Sequence, residues 1–354
     1  MHPAADGLFY GLENDFSSYL KGSKKRIGFM RAELHPNLKT ILGKKTLYLS
    51  QSFKPDFDKL VAAGFKPSPT FKTKSPVDVM IYLPTRNREE NKFMLAKSIE
   101  GLKEGGVLIT AQHNTLGASH LEKDLKALVP NLTTISKKHC RVMAAVKSQA
   151  PDDLQLSLYQ ACGNPEHIQN TSMCASPGVF SWKKPDTGSL MLMDMIEQED
   201  LAGRGADFGA GWGFLSQRAL KMSTRIREIN LYEAELRALN CAEQNIKSFL
   251  KKLSVKKTIP KVNFHWLDVI HEDFEPQFDF ILCNPPQHNL NQTDQSLALR
   301  FMEKCAHALK PEGVLWLVTN HHIPAERILT KLFQDVEEKN NDRQFKVFRA
   351  IKAR

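Results

Sequence analysis

The run Phe278-Asp279-Phe280-Ile281-Leu282-Cys283 is almost wholly apolar and stops at Asn284-Pro285-Pro286-Gln287-His288. A short apolar run bounded by proline fits a strand covered on both faces, as in the parallel sheets of α/β proteins. Two consecutive prolines have no amide hydrogen to donate and hold the chain extended, so the ladder ends there. The Asn284 carboxamide is thereby held at the carboxyl end of the strand, the end at which open α/β sheets bind their ligands.

A second stretch has the same spacing. Leu83-Pro84 follows Asp78 as Asn284-Pro285 follows Asp279, and Leu102-Lys103-Glu104-Gly105-Gly106-Val107 echoes Leu309-Lys310-Pro311-Glu312-Gly313-Val314. The spacing predicts one β-α-β architecture present twice. In the first copy a strand over 77–83, a helix over about 89–102 and a strand over 107–111 are expected, then a helix over 118–128 and a strand over 141–146. That copy carries Leu83 in place of the carboxamide and lacks a glycine-rich turn, which implies architecture kept and chemistry lost. The first seventy or so residues read as loop-rich. Residues 151–176, with Cys162-Gly163-Asn164-Pro165 and Ser176-Pro177-Gly178, read as a linker or irregular crossing. The expected domains are 1–160 and 161–354.

At 354 residues the chain exceeds what one hydrophobic core usually serves, so two domains are expected. Charge is distributed unevenly between them. Residues 1–150 hold 24 Lys and Arg against 13 Asp and Glu, a net of +11, while the remainder holds 25 against 26, a net of −1. A basic half attracts polyanions, and nucleic acid is the commonest of these. The 6 cysteines form no Cys-x-x-Cys pair and have no histidine at ligand spacing, so no metal is expected. With neither a long apolar run nor a signal pattern, the reading is a cytoplasmic protein with no membrane partner. Oligomeric state is not legible.

The segment Ala206-Asp207-Phe208-Gly209-Ala210-Gly211-Trp212-Gly213 predicts a strand, a tight glycine turn and a helix over 214–222. Such a turn suits a nucleoside-containing cofactor. Phe214 stands where a dinucleotide fingerprint needs its third glycine, and no Gly-Lys-Ser/Thr follows, so neither hydride transfer nor phosphate cradling is indicated. Glu233 ends the next expected strand and can accept from a ribose diol. Asp268 ends the third, placed to accept from an adenine amine. Arg204-Gly205 reads as a poor approach to Asp207, where an apolar run is expected. Asp186 or Ser189 is the expected cap of a helix over 190–197.

Acids at 207, 233 and 268 followed by Asn284-Pro285-Pro286 resemble the class I S-adenosylmethionine-dependent methyltransferases of the Asn-Pro-Pro branch. Gly178-Val179-Phe180-Ser181, Asp186-x-Gly188-Ser189, Asp207-x-Gly209-x-Gly211, Asn284-Pro285-Pro286-x-His288, Asn320 and Phe345-Lys346-Val347-Phe348-Arg349-Ala350 narrow it. Together they resemble the bacterial small-subunit rRNA guanine-N2 methyltransferases of the C type. The resemblance implies two tandem Rossmann-like domains, the first degenerate, the second a seven-stranded, mostly parallel sheet with an antiparallel last strand. It implies S-adenosylmethionine as cofactor, with Gly209 and Gly211 bordering its methionine part, Asp207 holding its polar end, Glu233 the ribose and Asp268 the adenine. Phe180 lines the entrance, and Asn284 with the Pro285 carbonyl grips the target amine, with Pro286 completing the motif. The implied partner is 16S rRNA or the 30S subunit. The family carries an aromatic after Pro286, and this chain has Gln287; stacking on the target base passes to Phe180 or His288, or the target differs. Large-subunit rRNA guanine, adenine N6 and a protein glutamine amide offer the same planar nitrogen, and a non-catalytic RNA-binding assembly factor is the reading outside enzymes.

Overall fold

The computed structural model describes residues 2–43, 45–148, 152–253, 259–286 and 292–354. The chain divides into two compact units, Met1–Pro165 and Glu166–Arg354.

In the first unit the elements are α1 (Ala5–Glu13), β1 (Arg26–Met30), α2 (Leu38–Leu42), β2 (Thr46–Ser50), α3 (Lys54–Ala62) and β3 (Val77–Tyr82). They continue with α4 (Arg88–Glu100), β4 (Leu102–His113), α5 (Ala118–Leu128), β5 (Leu132–Lys137), β6 (Cys140–Val146) and α6 (Asp153–Ala161). The sheet order is β2-β1-β3-β4-β6-β5; the first four strands are parallel, and β6 runs antiparallel to both neighbours. Each face is dry. Leu8, Phe9 and Leu12 of α1 pack with Phe29 and Ile81 on one side. Leu95 and Ile99 of α4 and Leu121 and Leu125 of α5 pack with Met80 and Tyr82 on the other.

The second unit begins with a small hairpin, β7 (Glu166–His167) and β8 (Cys174–Ala175), then α7 (Thr187–Met195), β9 (Gly203–Phe208), α8 (Phe214–Met222) and β10 (Ile226–Glu233). There follow α9 (Leu236–Leu253), β11 (Lys261–Trp266), β12 (Phe278–Cys283), α10 (Gln292–Ala308), β13 (Leu309–Asn320), α11 (Ala325–Leu332), β14 (Asp335–Asn341) and β15 (Phe345–Ile351). The 7-stranded sheet has the order β11-β10-β9-β12-β13-β15-β14, with β15 antiparallel to both neighbours. Alternate residues of β12 enter opposite cores: Phe280 and Leu282 join Leu215, Ala242 and Ile246, whereas Ile281 and Cys283 join Met302, Cys305 and Leu329. Coverage on both sides is why the strand reads as an unbroken apolar run.

Removing the edge strand β11 from the second sheet leaves the order of the first. The correspondence extends to detail. Asp78 Oδ2 accepts from the Arg26 amide at 2.8 Å and its Oδ1 pairs with Lys103 Nζ at 2.5 Å. Asp279 Oδ2 accepts from the Arg204 amide at 2.7 Å and its Oδ1 pairs with Lys310 Nζ at 2.7 Å. Both β3–β4 and β12–β13 shift register at the same step, between Val77 and Val79 and between Phe278 and Phe280.

Several expectations need correction. The first seventy residues are not loop-rich: α1, β1, α2, β2 and α3 lie there, and α1 covers one face of the sheet. Residues 153–161 form α6, capped by the Asp152 carboxylate on the Gln155 amide, and β5 was not foreseen. Arg204-Gly205 belongs to β9, because a Cβ on Gly205 would stand 2.1 Å from the Phe280 ring; glycine makes room for the large neighbour. Asp268 lies two residues beyond the end of β11 rather than at its tip.

Candidate active site

β9, β10 and β12 lie side by side, with Leu282 opposite Asp207 and Leu231 opposite Asp207 on the other flank. Their carboxyl ends therefore bring the acids and Asn284 to one edge. Asp207 is fully buried. Its Oδ2 accepts from the Ser216 hydroxyl at 2.7 Å and the Ser216 amide at 3.1 Å, so it anchors the first turn of α8. Among the described residues Asp207 Oδ1 has no partner. Burial pushes this carboxyl up to about 7; the Ser216 hydrogen bonds oppose the shift and the Glu233 charge adds to it.

Beyond β9, Gly209 and Gly211 adopt φ of +80° and +55°, a region costly for any residue with a Cβ. Apart from its chain neighbours, no heavy atom of the described residues lies within 4 Å of the place a Gly211 Cβ would take, so the turn is open among them, and a Gly209 Cβ would stand 3.7 Å from the Asn284 carbonyl oxygen. Glycine turn and Asn-Pro-Pro strand end thus adjoin. Glu233 is tied into the turn: its Oε2 accepts from the Gly211 amide at 2.8 Å and its Oε1 from the Glu235 amide at 2.8 Å, while burial raises its pKa above the usual carboxylate range. Asp268 accepts from the Ile270 amide at 3.0 Å and pairs with His271 Nδ1 at 2.6 Å.

The Asn284 carboxamide is held by two groups the sequence reading assigned only to capping. Its Nδ2 donates to Ser189 Oγ at 2.8 Å and to Asp186 Oδ2 at 3.0 Å. A carboxylate only accepts, so the amide nitrogen is compelled to face Asp186, and the oxygen is turned the other way. Among the described residues nothing donates to that oxygen. Asp186 also caps α7, accepting from the Ser189 amide at 2.9 Å. The Asp186-x-Gly188-Ser189 spacing was the available signal, but its reach across 98 residues to Asn284 was not. Pro285 is buried and Pro286 exposed. Phe180 is 44% exposed, and its carbonyl accepts from the Trp212 indole at 3.0 Å, which places it beside the glycine turn. Gln287 and His288 lie outside the described residues.

In the first unit, the register that pairs Ile27 with Val79 matches the one that pairs Gly205 with Phe280. On that register Phe29 takes the position of Asp207, Arg31 that of Gly209 and Leu83 that of Asn284. Arg31 keeps the left-handed turn, φ +54°, and places its guanidinium 3.2 Å from Glu90 Oε1. Gln51 stands for Glu233, and its Oε1 accepts from the Phe53 amide as Glu233 accepts from that of Glu235. The Pro84 carbonyl, counterpart of that of Pro285, is engaged by His2 Nε2 at 2.7 Å. The turns survive with the anionic and carboxamide groups replaced.

A doubly wound sheet whose first strand ends in an open glycine turn, adjoining a strand that ends in a restrained Asn-Pro-Pro, defines a Rossmann-like methyltransferase domain. The chain belongs to the methyltransferase small domain family, whose model matches residues 170–349. It is 26% identical over 297 residues to the ribosomal RNA small subunit methyltransferase C of Psychromonas ingrahamii, covering 83% of this chain and 81% of that one. It is 27% identical over 249 residues to the ribosomal RNA large subunit methyltransferase G of Shewanella loihica, covering 70% of this chain and 60% of that one. The fold matches that of the T. thermophilus 16S rRNA N2 G1207 methyltransferase, solved with AdoMet and guanosine, at a TM-score of 0.75 and 20% identity, over 97% of this chain and 93% of that one.

Proposed function

We propose that this chain transfers a methyl group from S-adenosylmethionine to the exocyclic N2 of a guanine in 16S ribosomal RNA. The observation that carries the reading is the Asn284 carboxamide, whose nitrogen is committed to Asp186 and Ser189 and whose oxygen is left to accept from a planar amine. The names of the small-subunit relatives support small-subunit RNA as the substrate, and the guanosine bound to the T. thermophilus enzyme supports guanine as the base.

The residues at the turn fit the cofactor. Gly209 and Gly211 let a ligand approach the backbone, Asp207 Oδ1 lacks a donor among the described residues, and Glu233 and Asp268 present further acceptor capacity along the same edge. S-adenosylmethionine, when bound, supplies an electrophilic methyl group on sulfur. The guanine amine is a weak nucleophile because its lone pair is delocalised into the ring. Asn284 Oδ1 and the Pro285 carbonyl each accept one amine hydrogen, which favours a more tetrahedral nitrogen and aims its lone pair. Catalysis is then chiefly positioning, with no strong base required at the attacking nitrogen. Phe180, exposed beside the turn, offers a face on which the extruded base stacks. The first unit, which carries the whole basic excess, docks the RNA.

The test is incubation with methyl-labelled S-adenosylmethionine and 30S subunits, free 16S rRNA or 50S subunits, followed by nucleoside identification. N2-methylguanosine in the small-subunit RNA is expected. The likeness to a large-subunit enzyme makes label confined to 50S subunits the result that redirects the assignment.

A further inference from the structure

The two copies of the fold differ in charge at the edge of the sheet opposite the ligand-binding ends. Strands β2, β1, β3 and β4 are parallel, so the segments that enter them all reach one edge. In the first unit these segments are basic. Residues 21–26 contain Lys21, Lys24, Lys25 and Arg26, and residues 71–76 contain Lys72 and Lys74, with no acid in either. In the second unit the corresponding segments are acidic on balance: residues 199–204 carry Glu199 and Asp200 against Arg204, and residues 272–277 carry Glu272, Asp273 and Glu275 with no cation.

The basic segments form one surface because hydrogen bonds join them. Lys45 Nζ, at the start of β2, donates to the Gly22 carbonyl at 2.8 Å. The Arg26 guanidinium donates to Thr73 Oγ1 at 3.1 Å and to the Ser75 carbonyl. Lys103, entering β4, reaches Asp78, which also holds the Arg26 amide. The cations that do this stitching are committed to protein acceptors. Lys21, Lys24, Lys72 and Lys74 are exposed and have no acidic partner among the described residues. Four uncompensated ammonium groups on a framework tied by hydrogen bonds cost the isolated protein self-repulsion, and a phosphate backbone relieves it.

We infer that the amino-terminal edge of the first sheet, presented by Lys21, Lys24, Lys72 and Lys74, is the surface on which the phosphate backbone of the substrate RNA docks. The inference rests on the proposed action on rRNA. Duplication left one unit with the reactive edge and gave the other unit's opposite edge to binding.

The experiment uses the full chain with all four lysines changed to Ala, and a control carrying Lys123→Ala and Lys126→Ala, exposed positions on α5. RNA affinity is measured against potassium chloride concentration, with KM for rRNA and cofactor affinity in parallel. If all four lysines contact phosphates, the slope of log K against log salt becomes shallower by about 3. Affinity at low salt falls at least tenfold, KM rises accordingly, and cofactor affinity and melting temperature stay at the wild-type values. The α5 control keeps wild-type slope and affinity. A fourfold variant with unchanged slope and KM, or a control that loses as much, overturns the assignment of this edge. A wild-type protein that methylates no rRNA overturns the proposed function instead.

Discussion

Ser189 Oγ lies 2.8 Å from Asn284 Nδ2, so a residue in the first turn of α7 helps to decide which way the Asn284 carboxamide faces. A neutral hydrogen bond contributes about 1 kcal/mol, enough to lower turnover roughly five- to tenfold when a competing orientation is released. Ser189→Ala should therefore reduce kcat by that factor, with KM and cofactor affinity unchanged. Asn284→Ala should reduce kcat by at least ~10² while calorimetric cofactor binding survives. Wild-type turnover in Asn284→Ala would remove the carboxamide from the mechanism.

Asp207 makes stability depend on pH. Its folded pKa, about 7, is above the ordinary carboxylate value, so between roughly pH 4 and 7 the folded state holds a proton that the unfolded state has released. Stability from this group is therefore full at low pH and is lost as pH rises through the folded pKa. Asp207→Asn keeps an acceptor for Ser216 without the charge. In the absence of cofactor it should be the more stable protein at pH 8, by up to ~4 kcal/mol, with the advantage disappearing at pH 4. Parallel melting curves for the two proteins across that range would contradict the assignment.

Gly205 and Phe280 share the space that Ile27 and Val79 divide more evenly in the first copy. With a Cβ 2.1 Å from the Phe280 ring, Gly205→Ala should destabilise by about 1–3 kcal/mol through overpacking. Adding Phe280→Leu should recover part of that loss. Urea denaturation of the single and double variants measures it, and strict additivity would show that the two side chains do not compete.

Gly211→Ala separates conformation from crowding. No atom of the described residues obstructs the added Cβ, but φ of +55° strains it, at about 1–2 kcal/mol. The fold should persist with a slightly lower melting temperature, and cofactor affinity should fall about tenfold or more because the methyl group projects into the open turn. Calorimetric titration with S-adenosylmethionine checks this.

Strands whose faces are both buried announce themselves by unbroken apolar runs, which is why β3 and β12 were legible, and the Asp-to-proline spacing made the duplication visible. The glycine turn and Glu233 were legible because few side chains tolerate such a backbone and because an acid at a strand end is conspicuous. β1 and β2 were hidden by the lysines that introduce them. Arg204-Gly205 hid the start of β9, since a glycine that accommodates a neighbouring ring looks, in one dimension, like a strand breaker.

By itself, then, the sequence determined the parallel α/β class, the doubled architecture and the edge at which Asp207, Glu233 and Asn284 gather, because these follow from periodicity and backbone restriction, which are local. Only the tertiary structure decided that Asp207 buries one oxygen on Ser216 and leaves the other unpartnered among the described residues, that Asp186 and Ser189 orient Asn284, and that scattered lysines line one edge of the first sheet. Each of those depends on groups far apart in the chain, and on burial and hydrogen-bond direction, which only the packed sheet and its helices impose.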